Sequence, residues 1–265
     1  MQLEGDEDKG QRGIQSVEVG GRLLQVLTAR PTSMALKDLA AAAELPASRA
    51  HPYLVSFGKL GLVEQDPHTG RYALGPMALQ MGLSCLHQSD PIKAATPVAE
   101  ALARRIDQAV AIAVWANFGP TVVRLIEGSQ PLHVNMRAGT VMSILGTATG
   151  RAFAAVLPAS QLEQAMRSRS GEVRRAERSL VKNLARELKD VTTEVRSHGL
   201  ARAMGRPIPG INAFSAPAFD HEGHAVLVIT ALGHEDNFSS DWDSSAAEGV
   251  RQAAADISMR LGFRG

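Results

Sequence analysis

The stretch Glu44–Gly75 constrains the fold of this chain most strongly, because it contains the signals of a helix and a helix stop, followed by those of a hairpin. Its first half places apolar residues at spacings of three and four, which aligns them on one helical face: Ala50, Leu54, Phe57 and Leu60. Gly61 follows the last of them, where the left-handed conformation that ends many helices favours glycine. The pattern therefore predicts a helix that ends at Gly61.

A β-hairpin is predicted directly after this helix. Two short runs, residues 62–65 and 71–74, flank the turn Asp66–Gly70. A five-residue loop with proline and glycine between two such runs is a hairpin signal. A helix with an adjacent hairpin is typical of a winged helix-turn-helix.

Two further helices are predicted before this stretch. Residues 16–29 carry an apolar helical face with Ser16 as a plausible N-cap, and residues 34–44 form a shorter helix. Three helices and a hairpin within about 60 residues match the size of a winged helix-turn-helix. We therefore predict this module over residues 13–75, after a polar tail, residues 1–12, that is expected to be disordered.

Charge and cysteine content limit the classes of protein to consider. The net charge is +1, and between Gln11 and Gly75 seven Lys and Arg residues face five Asp and Glu. This basic bias is too weak to indicate nucleic acid by itself. The single cysteine, Cys85, excludes an internal disulfide framework and fits a reducing compartment. No apolar run approaches the roughly 18 residues of a membrane span, and the polar N-terminus is not a signal peptide. A cytoplasmic protein without membrane contact is expected.

The period of the pattern changes after the hairpin. Residues 76–95 are predicted as a linker, with a helix over residues 76–87. Two polar-proline steps follow, and the second is expected to open a helix over residues 97–106. The second domain is predicted to cover residues 96–265.

Strand and helix patterns are mixed in this second domain. Patterns of period two predict strands at residues 109–115, 121–126, 131–136, 141–145, 200–204, 211–219 and 225–232. Helices are predicted at residues 147–157, over most of 159–198, and at 243–261. Short turns between strands indicate mostly antiparallel pairing, with helices packed on a face of the sheet. The fold class predicted for the chain is therefore α+β.

Several motifs in combination resemble one family. The longest is LPASRAHPYLVSFGKLGLVEQDPHTGRYALGP, residues 45–76. The others are LGTATGRA (145–152), HGLAR (198–202), PGINA (209–213) and SAPAFD (215–220). Together they resemble the IclR family of bacterial transcription regulators, over nearly the whole chain past Gly13.

The resemblance implies an N-terminal winged helix-turn-helix, a linker helix, and a C-terminal α/β effector-binding domain with a mostly antiparallel sheet. It also implies double-stranded operator DNA as a partner, self-association into homodimers or homotetramers, and a small organic acid or aromatic compound as effector. One position departs from the family: Pro52 stands where an arginine usually follows the histidine of the recognition helix. A cationic contact is lost there, and proline costs about 3 kcal/mol in a helix interior.

DNA contacts are expected from the start of the third helix, which enters the major groove in such modules, and from the hairpin, or wing. The candidates are Ser48, Arg49, His51, Tyr53, His68, Thr69 and Arg71. Arginine can pair bidentately with guanine, and hydroxyl groups usually contact phosphate. Two alternatives remain: Arg49 is an ordinary exposed arginine, or His51 packs against the preceding helix.

An effector pocket is expected where the loop Gly146–Gly150 faces the strand 211–217. Glycines and threonines before a helix offer N–H groups and hydroxyls at a positive helix end, which suits a carboxylate. The candidate residues are Met142, Leu145, Gly146, Thr147, Ala148, Ile211, Ser215 and Thr230. A glycine turn capped by Thr147, or a role in the core, explains the same residues without a ligand.

Other functions have weaker support. His221 and His224, with Asp220 and Glu222 nearby, have a loosely metal-like spacing, but polar residues are expected in the turn they occupy. No nucleophile elbow, phosphate loop or dinucleotide fingerprint is present. We therefore predict no enzyme activity, no metal and no cofactor. The alternative is an enzyme or ligand-binding protein that uses its N-terminal module for dimerisation only. The basic residues from Arg167 to Lys182 are interpreted as a solvated helix face.

Overall fold

The computed structural model describes residues 13–30, 32–129, 134, 136–168 and 184–264. The predicted tail, residues 1–12, lies outside these residues, as does most of the predicted strand 131–136. Contacts between residues divide the chain into two compact units, with the division between Gln88 and Ser89.

The first unit contains the three predicted helices: α1 (Gln15–Thr28), α2 (Leu36–Ala42) and α3 (Ala47–Lys59). They share a core in which Leu23, Leu39 and Leu54 are at most 2% exposed. The prediction of Ser16 as an N-cap is wrong. Ile14 occupies the cap position, and its carbonyl already accepts the N–H of Val17 at 2.9 Å, so the helix begins before Ser16.

The end of α3 and the hairpin follow the prediction. Gly61 has a φ of +69°, and the N–H of Leu62 donates to the carbonyl of Phe57 at 2.9 Å, which closes the helix in a Schellman motif. Strands β1 (Val63–Gln65) and β2 (Tyr72–Leu74) then pair antiparallel. Helix and hairpin together form the predicted winged helix-turn-helix.

Helix α4 (Pro76–His87) has the bounds predicted for the linker helix, and none of its residues is buried. Five of its large apolar side chains are between 40% and 65% exposed: Met77, Leu79, Met81, Leu83 and Leu86. Such a helix has too little polar surface to be explained as a solvated connection alone.

The second unit opens with α5 (Pro91–Ile106), which begins six residues before the predicted start at Pro97. The first polar-proline step, not the second, opens the helix. The Asp90 carboxylate accepts the N–H groups of Ile92 at 2.9 Å and Lys93 at 3.1 Å. Thr96 instead donates its hydroxyl to the carbonyl of Ile92 at 2.7 Å, and Pro97 lies inside the helix. A carboxylate that caps two N–H groups determines where the helix begins.

Five strands of the second unit form one sheet in the order β4-β3-β7-β6-β5, and every neighbouring pair is antiparallel. The strands are β3 (Ala109–Ala116), β4 (Gly119–Ile126), β5 (Ala201–Met204), β6 (Ile211–Phe219) and β7 (Ala225–His234). This sheet, with helices packed against it, confirms the α+β prediction.

Helices cover both faces of the sheet. Helices α5 and α9 (Ser245–Arg260) pack on one face, over a core that contains Ile112, Phe214 and Ile229. Helix α6 (Ala148–Val156) packs against β6 and β7. Side chains alternate along β6, so Ser215 points away from the Phe214 core.

The remaining predictions in this unit have mixed outcomes. Helices α7 (Ala159–Ser168) and α8 (Leu184–His198) lie within the predicted helical stretch, and the basic residues from Arg169 to Lys182 lie outside the described residues. The strand predicted at residues 141–145 is wrong: Val141 forms a single bridge with Thr121, and the chain then turns. The Ser143 hydroxyl accepts the N–H of Gly146 at 3.0 Å, which favours this turn over an extended strand.

Candidate nucleic-acid interface and ligand cavity

The N-terminal half of α3 exposes three of the predicted DNA-binding residues, Ser48, Arg49 and His51. Ala50 and Leu54 on the other face are buried, at 0% and 2% exposure, and hold the helix against the unit. The Arg49 side chain forms no hydrogen bond or ion pair with any residue that the structure describes. Its guanidinium therefore offers its donors to an external acceptor.

His51 and Tyr53 lie in different environments. His51 is exposed, which argues against the alternative in which it packs against the preceding helix. Tyr53 is half-buried against that core. Its ring lies so close to α1 that a side chain at Gly20 would be 3.1 Å from its Cδ1 atom. Tyr53 is therefore anchored against α1 and is less available for an external contact than the exposed residues of α3.

Pro52 is exposed, and α3 continues through it without a break from Ala47 to Lys59. Proline has no N–H group to donate to the carbonyl four residues back, which belongs to Ser48. That carbonyl lies in the first turn on an exposed residue, so it is open to solvent and does not require the missing donor. Pro52 therefore removes a cationic side chain from this surface without ending the helix.

The wing turn is held by Asp66. Its carboxylate accepts the N–H groups of His68 and Thr69, each at 2.8 Å. The N–H of Thr69, followed by that of His68, holds the pKa of the Asp66 carboxyl below its usual value. His68 and Thr69 are both exposed at the tip of this ordered turn.

Arg71 is exposed at the base of the wing, but part of its guanidinium is already used. Its Nε donates to the carbonyl of Ser33 at 3.1 Å, which ties the wing to the connection between α1 and α2. A bridge between Met34 and Tyr72 supports the same contact. Arg71 thus positions the wing and keeps only its terminal nitrogens for another partner.

A cavity of about 200 Å³ lies in the second unit, beside the N-terminus of α6. Its walls are mostly apolar and come from three separate stretches of the sequence, within residues 134–149, 203–213 and 230–232. Five of the eight predicted effector-binding residues line it: Met142, Thr147, Ala148, Ile211 and Thr230. The structure therefore brings most of the candidates to one place.

The other three candidates do not reach the cavity. Leu145 is buried in a separate apolar cluster with residues of α7 and α8. Gly146 lies in the turn before α6 and is not among the lining residues. Ser215 is fully buried and does not line the cavity. Its hydroxyl lies 2.7 Å from the hydroxyl of Thr230, which does line it.

Thr147 caps α6 and lines the cavity at the same time. Its hydroxyl donates to the carbonyl of Ser143 at 2.7 Å and accepts the N–H of Gly150 at 3.0 Å. A side chain at Gly150 would overlap the carbonyl oxygens of Ser143 and Ile144. Thr147 therefore serves both as the cap of the glycine turn and as part of the cavity wall. The first N–H groups of α6 have no partner inside the helix itself.

Buried hydroxyl groups join α6 to the sheet beneath the cavity. The Thr149 hydroxyl lies 2.9 Å from that of Thr230, which in turn lies 2.7 Å from that of Ser215. All three residues are at most 3% exposed. Because each buried hydroxyl has a partner, the row avoids the penalty of an unpaired polar group.

Several residues of the cavity wall were not predicted from the sequence. These include Thr140, Ser143, Thr149, Ala203, Arg206, Ile208, Ala213 and Leu232. Some lie on strands, where period two already indicated which side chains share a face with Ile211. Arg206 lies instead in the loop GRPIPG before β6, and no periodic signal places a loop residue at a cavity.

The hairpin turn between β6 and β7 brings Asp220, Glu222 and His224 together, with one ligand atom of each within 4.8 Å of the others. The Asp220 carboxylate already accepts the N–H groups of Glu222 and His224 at 2.9 Å. His221 is exposed and does not belong to the group. The Asp220 carboxylate therefore takes part in holding this turn. Among the described residues, no helix is long and apolar enough to cross a membrane.

Comparison with known proteins identifies both units. The family profile described as "IclR helix-turn-helix domain" matches residues 16–67. The profile described as "Bacterial transcriptional regulator IclR C-terminal" matches residues 83–259.

Whole-chain similarity agrees with these matches. The chain is 25% identical over 241 residues to the HTH-type transcriptional regulator KipR of Bacillus subtilis (strain 168), covering 91% of this chain and 94% of KipR. It is 27% identical over 254 residues to the glycerol operon regulatory protein of Streptomyces griseus, covering 95% and 98% of the two chains. The crystal structure of Pseudomonas aeruginosa HmgR has a TM-score of 0.83 and 32% identity, and the match covers 95% of this chain and 100% of HmgR. The chain therefore belongs to the IclR family and is a DNA-binding transcriptional regulator, not an enzyme.

Proposed function

We propose that this chain is a ligand-responsive regulator that binds operator DNA as a dimer through α3 and its wing, and takes a small organic effector in the cavity of the second unit. The observation that carries the proposal is the exposed start of α3, where Arg49 has no partner among the described residues, in the same unit as an ordered wing.

In this proposal α3 enters the major groove with Ser48, Arg49 and His51 foremost. Arg49 reads a base edge, since a free guanidinium can donate to two acceptors of one guanine. Ser48, and the hydroxyl of Tyr53, position the helix through the phosphate backbone. His68 and Thr69 at the wing tip, with the terminal nitrogens of Arg71, contact the backbone or the minor groove.

Helix α4 is proposed to form the contact between two copies of the chain. Leu79, Leu83 and Leu86 follow each other at spacings of four and three, so they share one face. Met77 lies on the opposite side, where its Cβ is 3.5 Å from the position a Cβ would take at Gly61. The leucine face therefore points away from the chain's own wing unit and is free to pair with its equivalent in a second copy.

The oligomeric state can be tested on this face. Leu83→Glu places a charge in the proposed contact, and Ser84→Glu places the same charge about 100° around the helix from Leu83. Sedimentation is expected to show a dimer for the wild type and for Ser84→Glu, and a monomer for Leu83→Glu. A dimer that survives Leu83→Glu would reject this contact, and a still larger assembly of the wild type would indicate the tetramer.

The cavity is proposed as the effector site. Its apolar wall suits a hydrocarbon or aromatic body, and the N-terminus of α6 favours negative charge. A ligand bound there changes DNA binding only if its affinity differs between two arrangements of the dimer. We further propose that the regulator acts in the cytoplasm, where operator DNA and small metabolites meet.

The direct test is a mobility shift, followed by footprinting, with wild-type protein on the DNA that flanks its own gene. A dimer with two recognition helices is expected to protect two half-sites whose centres are about 10 base pairs, or a multiple of this, apart. Absence of any complex at low salt would reject the proposal, because phosphate contacts are strongest there.

A further inference from the structure

The cavity of the second unit has an uneven distribution of charge. Arg206 is the one charged residue among the described residues that line it, and no Asp or Glu is found there. The other walls are apolar side chains and the hydroxyl groups of serine and threonine. From the described part of the wall, a ligand that enters this cavity therefore meets one positive charge and no negative side chain.

The hydroxyl groups on the wall are already paired. Thr147 both donates and accepts within its own turn, Thr149 and Thr230 pair with each other, and Thr140 accepts the N–H of Arg137 at 3.0 Å. Arg206 differs, because its guanidinium forms no hydrogen bond or ion pair with any described residue. It is the group on this wall with the most unused donors.

The segment that carries Arg206 is fixed at both ends. The N–H of Gly205 donates to the carbonyl of Ile211 at 2.9 Å, and the carbonyl of Gly210 accepts the N–H of Glu235 at 2.8 Å. The N–H of Gly205 also donates to the side-chain oxygen of Asn212. The side-chain nitrogen of Asn212 in turn donates to the carbonyl of Phe238 at 3.0 Å. Arg206 is therefore exposed at the cavity on an anchored segment, which lowers the ordering cost of using it.

The size of the cavity limits what it holds. Its volume is about 200 Å³, and an apolar cavity of about 150 Å³ in another protein binds benzene. One ring, or an aliphatic chain of similar size, fills most of the space and leaves room for a small polar head. A single negative head group matches the single positive charge.

We propose that Arg206 is the specificity-determining residue of the cavity: it pairs with the carboxylate of a small acid whose apolar body fills the space beside α6. This assignment rests on the proposed effector site. Arg206 distinguishes an acid from the neutral amide of the same shape, because only the acid offers two anionic acceptors to the guanidinium fork.

The test measures the preference for acid over amide by titration calorimetry with the full-length protein. The probes are benzoate and cyclohexanecarboxylate, each paired with its primary amide. The variants are Arg206→Gln, which removes the charge, and Arg206→Lys, which keeps it. Arg104→Gln is the control, because Arg104 is an exposed arginine on α5 that does not line the cavity.

Arg206→Gln is expected to weaken acid binding about 5-fold to 10-fold, between the effects typical of exposed and of buried charged hydrogen bonds. Amide binding should stay unchanged, so the preference for the acid falls by the same factor. Arg206→Lys should keep part of this preference, and Arg104→Gln should keep all of it.

Two results would overturn the assignment in different ways. If the acids bind the wild type and Arg206→Gln equally well, or if Arg206→Lys loses the preference completely, the role of Arg206 is wrong and the effector site stands. If neither acid binds the wild type, the assignment is wrong together with the proposed effector site for this class of ligand.

Discussion

The proposed DNA-reading helix and the proposed effector cavity differ in how far apart in the sequence their residues lie. The exposed residues of α3 come from one turn and a half of one helix, and the wing ends within twenty-five residues of Arg49. The cavity takes its walls from residues between Val134 and Leu232. A surface built from local signals can be located in the sequence, whereas a cavity built from distant segments depends on how the whole sheet is assembled.

The two regions also use their polar groups differently. Arg49 is unpaired among the described residues, while the hydroxyl groups below the cavity are paired in a buried row from Thr149 to Ser215. Unpaired exposed groups cost little because water satisfies them, but buried groups must find partners within the fold. The first region is therefore sensitive to substitution mainly in binding, and the second in stability.

The largest expected effect concerns close packing at the cavity. Gly150→Ala places a methyl group against the carbonyl oxygens of Ser143 and Ile144 and should destabilise the second unit by about 3 kcal/mol. Gly21→Ala in α1 is the matched change in the first unit, where the added methyl group has no atom within 4 Å. It should stabilise its helix by about 0.5–1 kcal/mol. Thermal unfolding measures both, and equal effects would contradict the contrast between the regions.

The buried hydroxyl row gives the next largest effect. Thr230→Val keeps the shape of the side chain but leaves the hydroxyls of Thr149 and Ser215 without their shared partner, which should cost about 1–3 kcal/mol. Thr193→Val is the control, since Thr193 is exposed and bonds only within α8. Urea denaturation compares the two. A Thr230→Val protein as stable as the control would mean that the row does not hold α6 to the sheet.

A smaller effect, on DNA binding rather than stability, is expected at Pro52. Pro52→Arg adds an exposed cation to the surface of α3 and should steepen the dependence of DNA affinity on salt by about one unit of the logarithmic slope. Pro52→Ala restores the backbone donor without the charge, so it should leave the slope unchanged. Fluorescence anisotropy at several salt concentrations gives the slopes, and identical values for the two variants would place residue 52 away from the DNA.

The smallest effect is the pH dependence of the wing turn. The pKa of Asp66 is lower in the folded chain than in the unfolded one, so its contribution is complete above the unfolded pKa of about 3.9 and is lost as the pH falls through the lower folded value. Amide exchange of His68 and Thr69 should stay slow down to that range in the wild type. Asp66→Asn should show no such transition, and protection that is lost well above pH 4 in the wild type would contradict this origin of the turn.

The sequence predicted the local features well, for a physical reason. The spacing of Ala50, Leu54 and Phe57, with Gly61 after them, specifies a helix and its end through contacts within a few residues. The motif around Thr147 likewise predicted a helix start, and the structure has Thr147 as its cap.

Where prediction failed, two local signals competed or a distant contact decided. Pro91 and Pro97 both suit a helix start, and the stronger cap of Asp90 determined which one was used. Leu145 has the apolar character of a cavity wall, but packing against α7 and α8 buries it elsewhere. Arg206 could not be placed, because a loop residue reaches the cavity only once β5 and β6 have paired.

The central claim is that the exposed start of α3 reads the sequence of the operator. The most direct measurement is the ratio of affinities for operator and for unrelated duplex DNA at one salt concentration, for the wild type, Arg49→Ala and Lys59→Ala. Lys59 is an exposed cation at the far end of the same helix and controls for the loss of charge. The account predicts that Arg49→Ala lowers operator affinity by about 1–3 kcal/mol and reduces the ratio, whereas Lys59→Ala leaves the ratio unchanged. A ratio that is unaffected by Arg49→Ala, or reduced equally by both substitutions, would contradict it.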